Sequence, residues 1–256
     1  MAVELFDDGV HKCISFSDLV QGEGVQANQF LIVNGDDAIL LDPGGQLTFT
    51  PLSLELRKLG DFDTLNYIFA SHQDPDIISS IDSWITRTPA KVIASKLWAR
   101  FLPHLLPAYM GDKIGERIIS VNDSGLKLPF GDTELLILPA HFLHSVGNLQ
   151  IFDPVSKTLF SGDMGASMVD DGPEHSVQDF DAHIQYMEGF HKRYMVSNKA
   201  CRLWANMIRK MDVQMMVPQH GCSFKGPEMI NQFLDWISAL ECGVDLLTEE
   251  SYSVPA

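Results

Sequence analysis

The chain has 256 residues, 45% of them hydrophobic, and a mean hydropathy of +0.02, enough to bury a full core as one large α/β domain spanning residues 1–256. Eighteen Lys and Arg against 34 Asp and Glu give a formal charge of -16, which repels phosphate backbones and anionic headgroups, so nucleic acid and membranes are excluded as expected partners. The N-terminus carries no basic start with a long apolar core and no window is long enough to span a bilayer, so a cytoplasmic location is expected; Cys13, Cys201, Cys222 and Cys242 are too scattered for a disulfide framework and read as reduced thiols.

In chain order, NQFLIVNGDDAILLDPGG reads as two strands joined at Asn34-Gly35-Asp36-Asp37, because Asn-Gly favours the positive φ angles of a tight hairpin turn. LNYIFAS is the next strand. Ile77, Ile78, Ile81, Trp84 and Ile85 then fall on one helical stripe, with Asp76 placed to cap it. KVIAS, RIISV and ELLILPA read as further strands, with a short helix near Lys96 to Leu102. LQIFDPVSKTLFSGD forms a hairpin around Asp153-Pro154-Val155-Ser156, since proline presets a turn. Helices are expected at about 179–194 and 199–211, a buried strand at VQMMVPQH, and an amphipathic helix over 227–241 with Pro227 in its first turn. Strands paired early and alternating with helices later indicate an α/β sandwich.

The segment Ser71-His72-Gln73-Asp74-Pro75-Asp76 places three metal-capable side chains two residues apart, directly after an apolar strand. Three other strand ends repeat the feature: ELLILPA leads to His141 and His144, KTLFSG to Asp163, and MMVPQ to His220. Loops at strand ends collect functional groups because the sheet holds the backbone while the side chains converge. Taken singly, each residue has a plain structural reading. Asp76 is a helix cap, His72 a histidine bonded to a carbonyl, Asp163 a turn aspartate and His220 the close of a strand. The recurrence at four strand ends favours a metal site.

His72, His144 and His220 with Asp74, Asp76 and Asp163 can hold two divalent ions if one aspartate bridges. A carboxylate share this high moves the preference from zinc toward harder, redox-active ions, so iron is expected, with manganese or zinc as other occupants of such mixed sites. His141, three residues before His144, is positioned to donate a hydrogen bond into the pocket. Tyr186, Tyr194 and Phe190 read as packing on a helix, and Cys222 as a small apolar filler.

His72-x-Asp74-x-Asp76, His144, Asp163 and His220, together with NQFLIV and AILLDPGG, resemble the metallo-β-lactamase fold superfamily over essentially the whole chain, with Asp42 at that fold's structural aspartate. The carboxylate at Asp74 and the Phe142-Leu143-His144 segment are similar to the cores of flavodiiron proteins and of stand-alone oxygen-binding di-iron proteins. The resemblance implies a four-layer αββα sandwich. It also implies one iron at His72, Asp74 and His144, another at Asp76 and His220, and Asp163 as the bridge. Two positions depart from the flavodiiron pattern. Asp74 stands for a glutamate and is shorter by about 1.5 Å, one C–C bond, and Ile77 stands for a histidine.

No flavodoxin-like domain is expected in this chain, so no flavin, and electrons would come from a separate donor. Binding or sensing of O2, with NO as the other gas, is therefore favoured over rapid turnover, and a homodimer is expected. Two other functions stay open. One is a metal-dependent hydrolase of a phosphodiester, thioester or lactone, which would use a metal-bridging hydroxide. The other is a module whose metal state changes its contacts with a signalling protein through the loop Asp170-Asp171-Gly172-Pro173-Glu174.

Overall fold

The computed structural model describes residues 2–60 and 65–255, the side chains of 110–114 excepted. In chain order the strands and α-helices are β1 (Ala2–Asp7), β2 (His11–Phe16), β3 (Gln29–Asn34), β4 (Asp37–Leu41), α1 (Gln46–Leu59), β5 (Tyr67–Ala70), α2 (Pro75–Ile78), α3 (Ile81–Arg87), β6 (Lys91–Ser95), α4 (Lys96–Ala99), β7 (Ile118–Val121), β8 (Leu126–Phe130), β9 (Thr133–Pro139), β10 (Leu149–Asp153), β11 (Thr158–Phe160), α5 (Phe180–Tyr194), α6 (Asn198–Ile208), β12 (Met215–Val217), β13 (Phe224–Lys225) and α7 (Pro227–Ala239).

Two sheets result. The first runs β1-β2-β3-β4-β5-β6-β7 and the second β13-β12-β11-β10-β9-β8. Strands β1 to β4 are antiparallel, whereas β4 to β7 are parallel, with helices as crossovers. The side-chain alternation of each strand divides the apolar residues into three layers. Phe30, Ile32, Ile39, Leu41 and Phe69 face Leu135, Ile137, Leu149, Ile151 and Val217 between the sheets. The alternate residues Leu31, Leu40 and Ile68 turn outward onto Leu52 and Leu56 of α1 and Trp84 of α3. On the other outer face Phe152, Leu159 and Met216 meet Met187 of α5, Trp204 of α6 and Phe233 of α7. The order is helix, sheet, sheet, helix, the four-layer αββα sandwich expected from the resemblance. Among the described residues no helix is long and apolar enough to cross a membrane.

Three local features differ from the periodicity reading. Strands β1, β2 and β8 and helix α1 carried no clear hydropathy signal. In α1 the two threonines and Pro51 weaken helix propensity, and the helix is held by the stripe Thr48, Leu52 and Leu56 packed on the sheet. The stripe beginning at Ile77 is split into α2 and α3, and Asp76 is not the cap. Pro75, whose fixed φ suits the first helical position, starts α2 one residue earlier and leaves Asp76 inside the first turn. Asp74 occupies the cap position, yet its side chain makes no capping bond, so both carboxylates are left for other partners.

Candidate metal centre

All four candidate segments emerge at one end of the sandwich. β5 delivers Ser71 and His72, and the Leu149 N–H donates to the Ser71 carbonyl at 3.1 Å, joining the two sheets at that edge. β11 ends in Ser161-Gly162-Asp163, and β12 ends in Pro218-Gln219-His220. The Ser161 N–H donates to the Val217 carbonyl and the Gln219 N–H to the Gly162 carbonyl, so the parallel pairing of β11 and β12 continues into the two loops and keeps Asp163 beside His220. Gly162 and Gly165 flank Asp163 at φ 56 and 94, left-handed backbone that a side chain would strain.

The structure brings together His72, Asp74, Asp76, His144, Asp163 and His220. Asp163 is the centre of the set. Its Oδ2 lies 2.8 Å from Nε2 of His144 and 3.5 Å from Nε2 of His72, while its Oδ1 lies 3.6 Å from Nε2 of His220. Oδ2 of Asp74 lies 3.3 Å from His144 and 3.8 Å from His72, and Oδ2 of Asp76 lies 3.7 Å from His220. The donors therefore fall into two lobes, His72 with Asp74 and His144, and Asp76 with His220, each addressed by a different oxygen of Asp163. The ligand atoms of the first lobe all lie within 4.8 Å of one another.

Whether these groups suit metal ions is decided by their unmet bonding. His72 and Asp163 are 2% and 3% exposed, yet Nε2 of His72 and Oδ1 of Asp163 have no hydrogen-bond partner among the described residues. Buried polar atoms left in this state are costly unless an ion or an ordered water satisfies them, and here the two residues face each other among carboxylates and imidazoles. Burial also opposes charge on His144, but the bonds to Asp163 and Asp74 prevail and raise its pKa to about 10. Burial works against ionisation of Asp163 as well, and His144, His72 and His220 together hold its carboxyl well below the usual range. The pocket thus keeps buried negative charge that a cation would balance. Three imidazoles and three carboxylates form the mixed N/O donor set on which the expectation of iron rests.

A family model described as ODP family beta lactamase matches residues 25–221. The chain belongs to this ODP family. A chemotaxis sensor ODP solved as a peroxy diiron species is similar over 96% of this chain and 97% of that one, with 37% identity and a TM-score of 0.84. The apo state of the chemotaxis sensor ODP from T. denticola matches with the same figures. A flavo di-iron protein from Thermotoga maritima (17% identity, TM-score 0.74) and rubredoxin oxygen:oxidoreductase from Desulfovibrio gigas (15%, 0.77) each match over 93% of this chain and 61% of their own, which shows the shared fold alone. No curated protein matches.

In this ODP-family chain, the residues that orient the candidate ligands are largely ones the motif did not indicate. Nδ1 of His72 pairs with the Ser71 hydroxyl at 2.9 Å, and Nδ1 of His220 donates to the Gln26 carbonyl at 2.6 Å. Each imidazole is thereby fixed with Nε2 toward the carboxylates. Asp42, at φ 48, accepts from the Ser71 N–H at 2.7 Å and from the side chain of Gln219. Burial pushes Asp42 up to about 7 against those hydrogen bonds. His191, fully buried on α5, donates from Nδ1 to the Met187 carbonyl and accepts the Gly165 N–H at Nε2, at 2.9 and 3.1 Å. Tyr194 and Phe190 stack on each other at 4.7 Å, and the Tyr194 ring lies 5.4 Å from that of His144, so this packing forms one wall of the centre.

His141 is placed differently. Its Nε2 donates to the Asp123 carbonyl at 2.9 Å, and it shares no hydrogen bond or ion pair with the six converging residues among those described. Ile77 is 1% exposed and packs with Ile81 and Trp84 in the outer apolar layer.

Proposed function

We propose that this chain is a non-haem di-iron protein that binds and senses O2. The single observation that carries the reading is that the two oxygens of Asp163 address two separate sets of donors, His72 with His144 on one side and His220 on the other. The similarity to a chemotaxis sensor ODP solved as a peroxy diiron species supports it, over nearly the full length of both chains.

His72, Asp74 and His144 would hold one ion, Asp76 and His220 the other, and Asp163 both. Iron at these positions supplies redox-active coordination sites for a diatomic gas. The protein's own contribution is orientation and charge. The Ser71 hydroxyl and the Gln26 carbonyl fix which ring nitrogen of His72 and of His220 faces the centre. Three carboxylates offset most of the charge of two divalent ions. The Phe190 and Tyr194 rings cover His144 and limit water on that side. Electrons for any repeated turnover come from a separate protein, and the output is a contact with a signalling partner.

The test is anaerobic loading with Fe2+, metal analysis and an optical O2 titration. Two irons per chain and a new near-ultraviolet and visible charge-transfer band on O2 addition are expected. Two bound irons with a spectrum indifferent to O2 would overturn the gas reading, and steady hydrolysis of a phosphodiester or thioester, lost in Asp163→Ala, would replace it with the hydrolase.

A further inference from the structure

We infer that the side-chain amide of Gln219 is the positioning group that ties the two halves of the centre together, and that it acts on His72 although it adjoins His220 in sequence. The inference rests on the metal-binding reading above and adds to it a specific residue with a specific target.

Gln219 is 1% exposed and touches three of the four ligand-bearing segments. Its backbone N–H donates to the carbonyl of Gly162, the residue before Asp163, at 2.9 Å. Its peptide continues into His220. Its Nε2 donates to Oδ2 of Asp42 and, at 3.2 Å, to the hydroxyl of Ser71, the residue before His72. Sequence separations of 148 and 177 residues are closed by one amide group.

The hydrogen-bond inventory around Ser71 assigns each role. Nε2 of His72 faces Asp163 and Asp74, so a ligating His72 carries its proton on Nδ1 and donates it to the Ser71 oxygen. That oxygen has two acceptor sites and one proton. The second acceptor site takes the Gln219 N–H, while the Ser71 backbone N–H donates to Asp42. Both acceptor sites of the hydroxyl are then used, and the direction of each of those bonds is fixed. Removing the amide leaves one acceptor site of the Ser71 hydroxyl unfilled and unties Ser71 from the loop that carries His220, so the oxygen that receives the His72 proton is held less firmly. Outer partners of metal-bound histidines are typically worth about 10–100-fold in metal affinity. The backbone bonds of Gln219 survive any side-chain change, so substitution isolates the amide.

The experiment uses the full chain with Co2+, whose visible bands report each site, in wild type, Gln219→Met and Ser71→Ala, with His72→Ala and His220→Ala marking the two binding steps. The methionine keeps the volume and removes the donors. Gln219→Met and Ser71→Ala are expected to weaken the step marked by His72 by about 10–100-fold, to shift its band, and to leave the step marked by His220 unchanged. Wild-type affinities and bands in Gln219→Met overturn the inference, as does an equal loss in both steps, which marks general loosening. If Gln219→Met does not fold, Ser71→Ala with unchanged binding overturns it alone. A wild-type chain that takes up no Co2+ and no Fe2+ instead overturns the metal reading on which the inference stands.

Discussion

Asp163 meets His144 through one carboxylate oxygen at 2.8 Å and His220 through the other at 3.6 Å, so a single side chain belongs to both lobes of the centre. Asp163→Ala should therefore remove more than an ordinary ligand. Both metal-binding steps are expected to weaken, each by more than the ~10–100-fold cost of losing an outer partner. Isothermal titration with Co2+ reads this directly. One step at wild-type affinity would show that Asp163 serves a single lobe.

Ile77 stands where flavodiiron proteins carry a histidine, and here it is part of the apolar packing over Trp84. Ile77→His should not add a ligand. Burying an imidazole without a partner costs about 1–3 kcal/mol in addition to the lost packing. A lower Tm with unchanged Co2+ affinity is expected. Tighter binding of the second ion would show instead that the position can turn toward the centre.

His191 is fully buried, and burial lowers its pKa from 6.5 to about 4 despite the bond it makes to Met187. The folded protein holds it neutral, which lets Nε2 accept the Gly165 N–H. The sign of the pH effect follows. Between pH 6.5 and about 4 the unfolded chain binds a proton that the folded chain refuses, so stability falls as pH drops through this window. The loss approaches ~3 kcal/mol at its lower end. Urea midpoints measured across that range should fall more steeply in wild type than in His191→Gln, and parallel curves would rule the effect out.

His141 anchors the Asp123 loop through a bond to its carbonyl. His141→Ala should cost about 1 kcal/mol of stability, the net worth of one hydrogen bond, and leave both Co2+ affinities unchanged. A selective change in the O2-dependent spectrum would place the residue in the pocket during binding.

Much of the centre could be read before any fold was known, and for a local reason. His72, Asp74 and Asp76 stand at every second position, and each further candidate ligand follows a short apolar strand, so patterning and a turn proline were sufficient signals. Helix α1 and the first two strands were less visible. Thr48, Thr50 and Pro51 obscure the helical period, and residues 2–7 of β1 lie partly exposed at a sheet edge with a mixed pattern. Asp76 misled in the other direction, because a cap and a candidate ligand look identical in sequence until the proline before it is seen to begin the helix.

What the sequence determined by itself was the strand periodicity, the donor types and their attachment to strand ends, since these depend on neighbours a few residues away. Only the tertiary structure decided which oxygen of Asp163 faces which imidazole, that Ile77 is core, and that Ser71, Asp42 and Gln219 form one hydrogen-bonded set behind His72. Those relations arise where β4, β5, β11 and β12 end side by side. The packing of two twisted sheets creates that juxtaposition, and no short stretch of chain contains it.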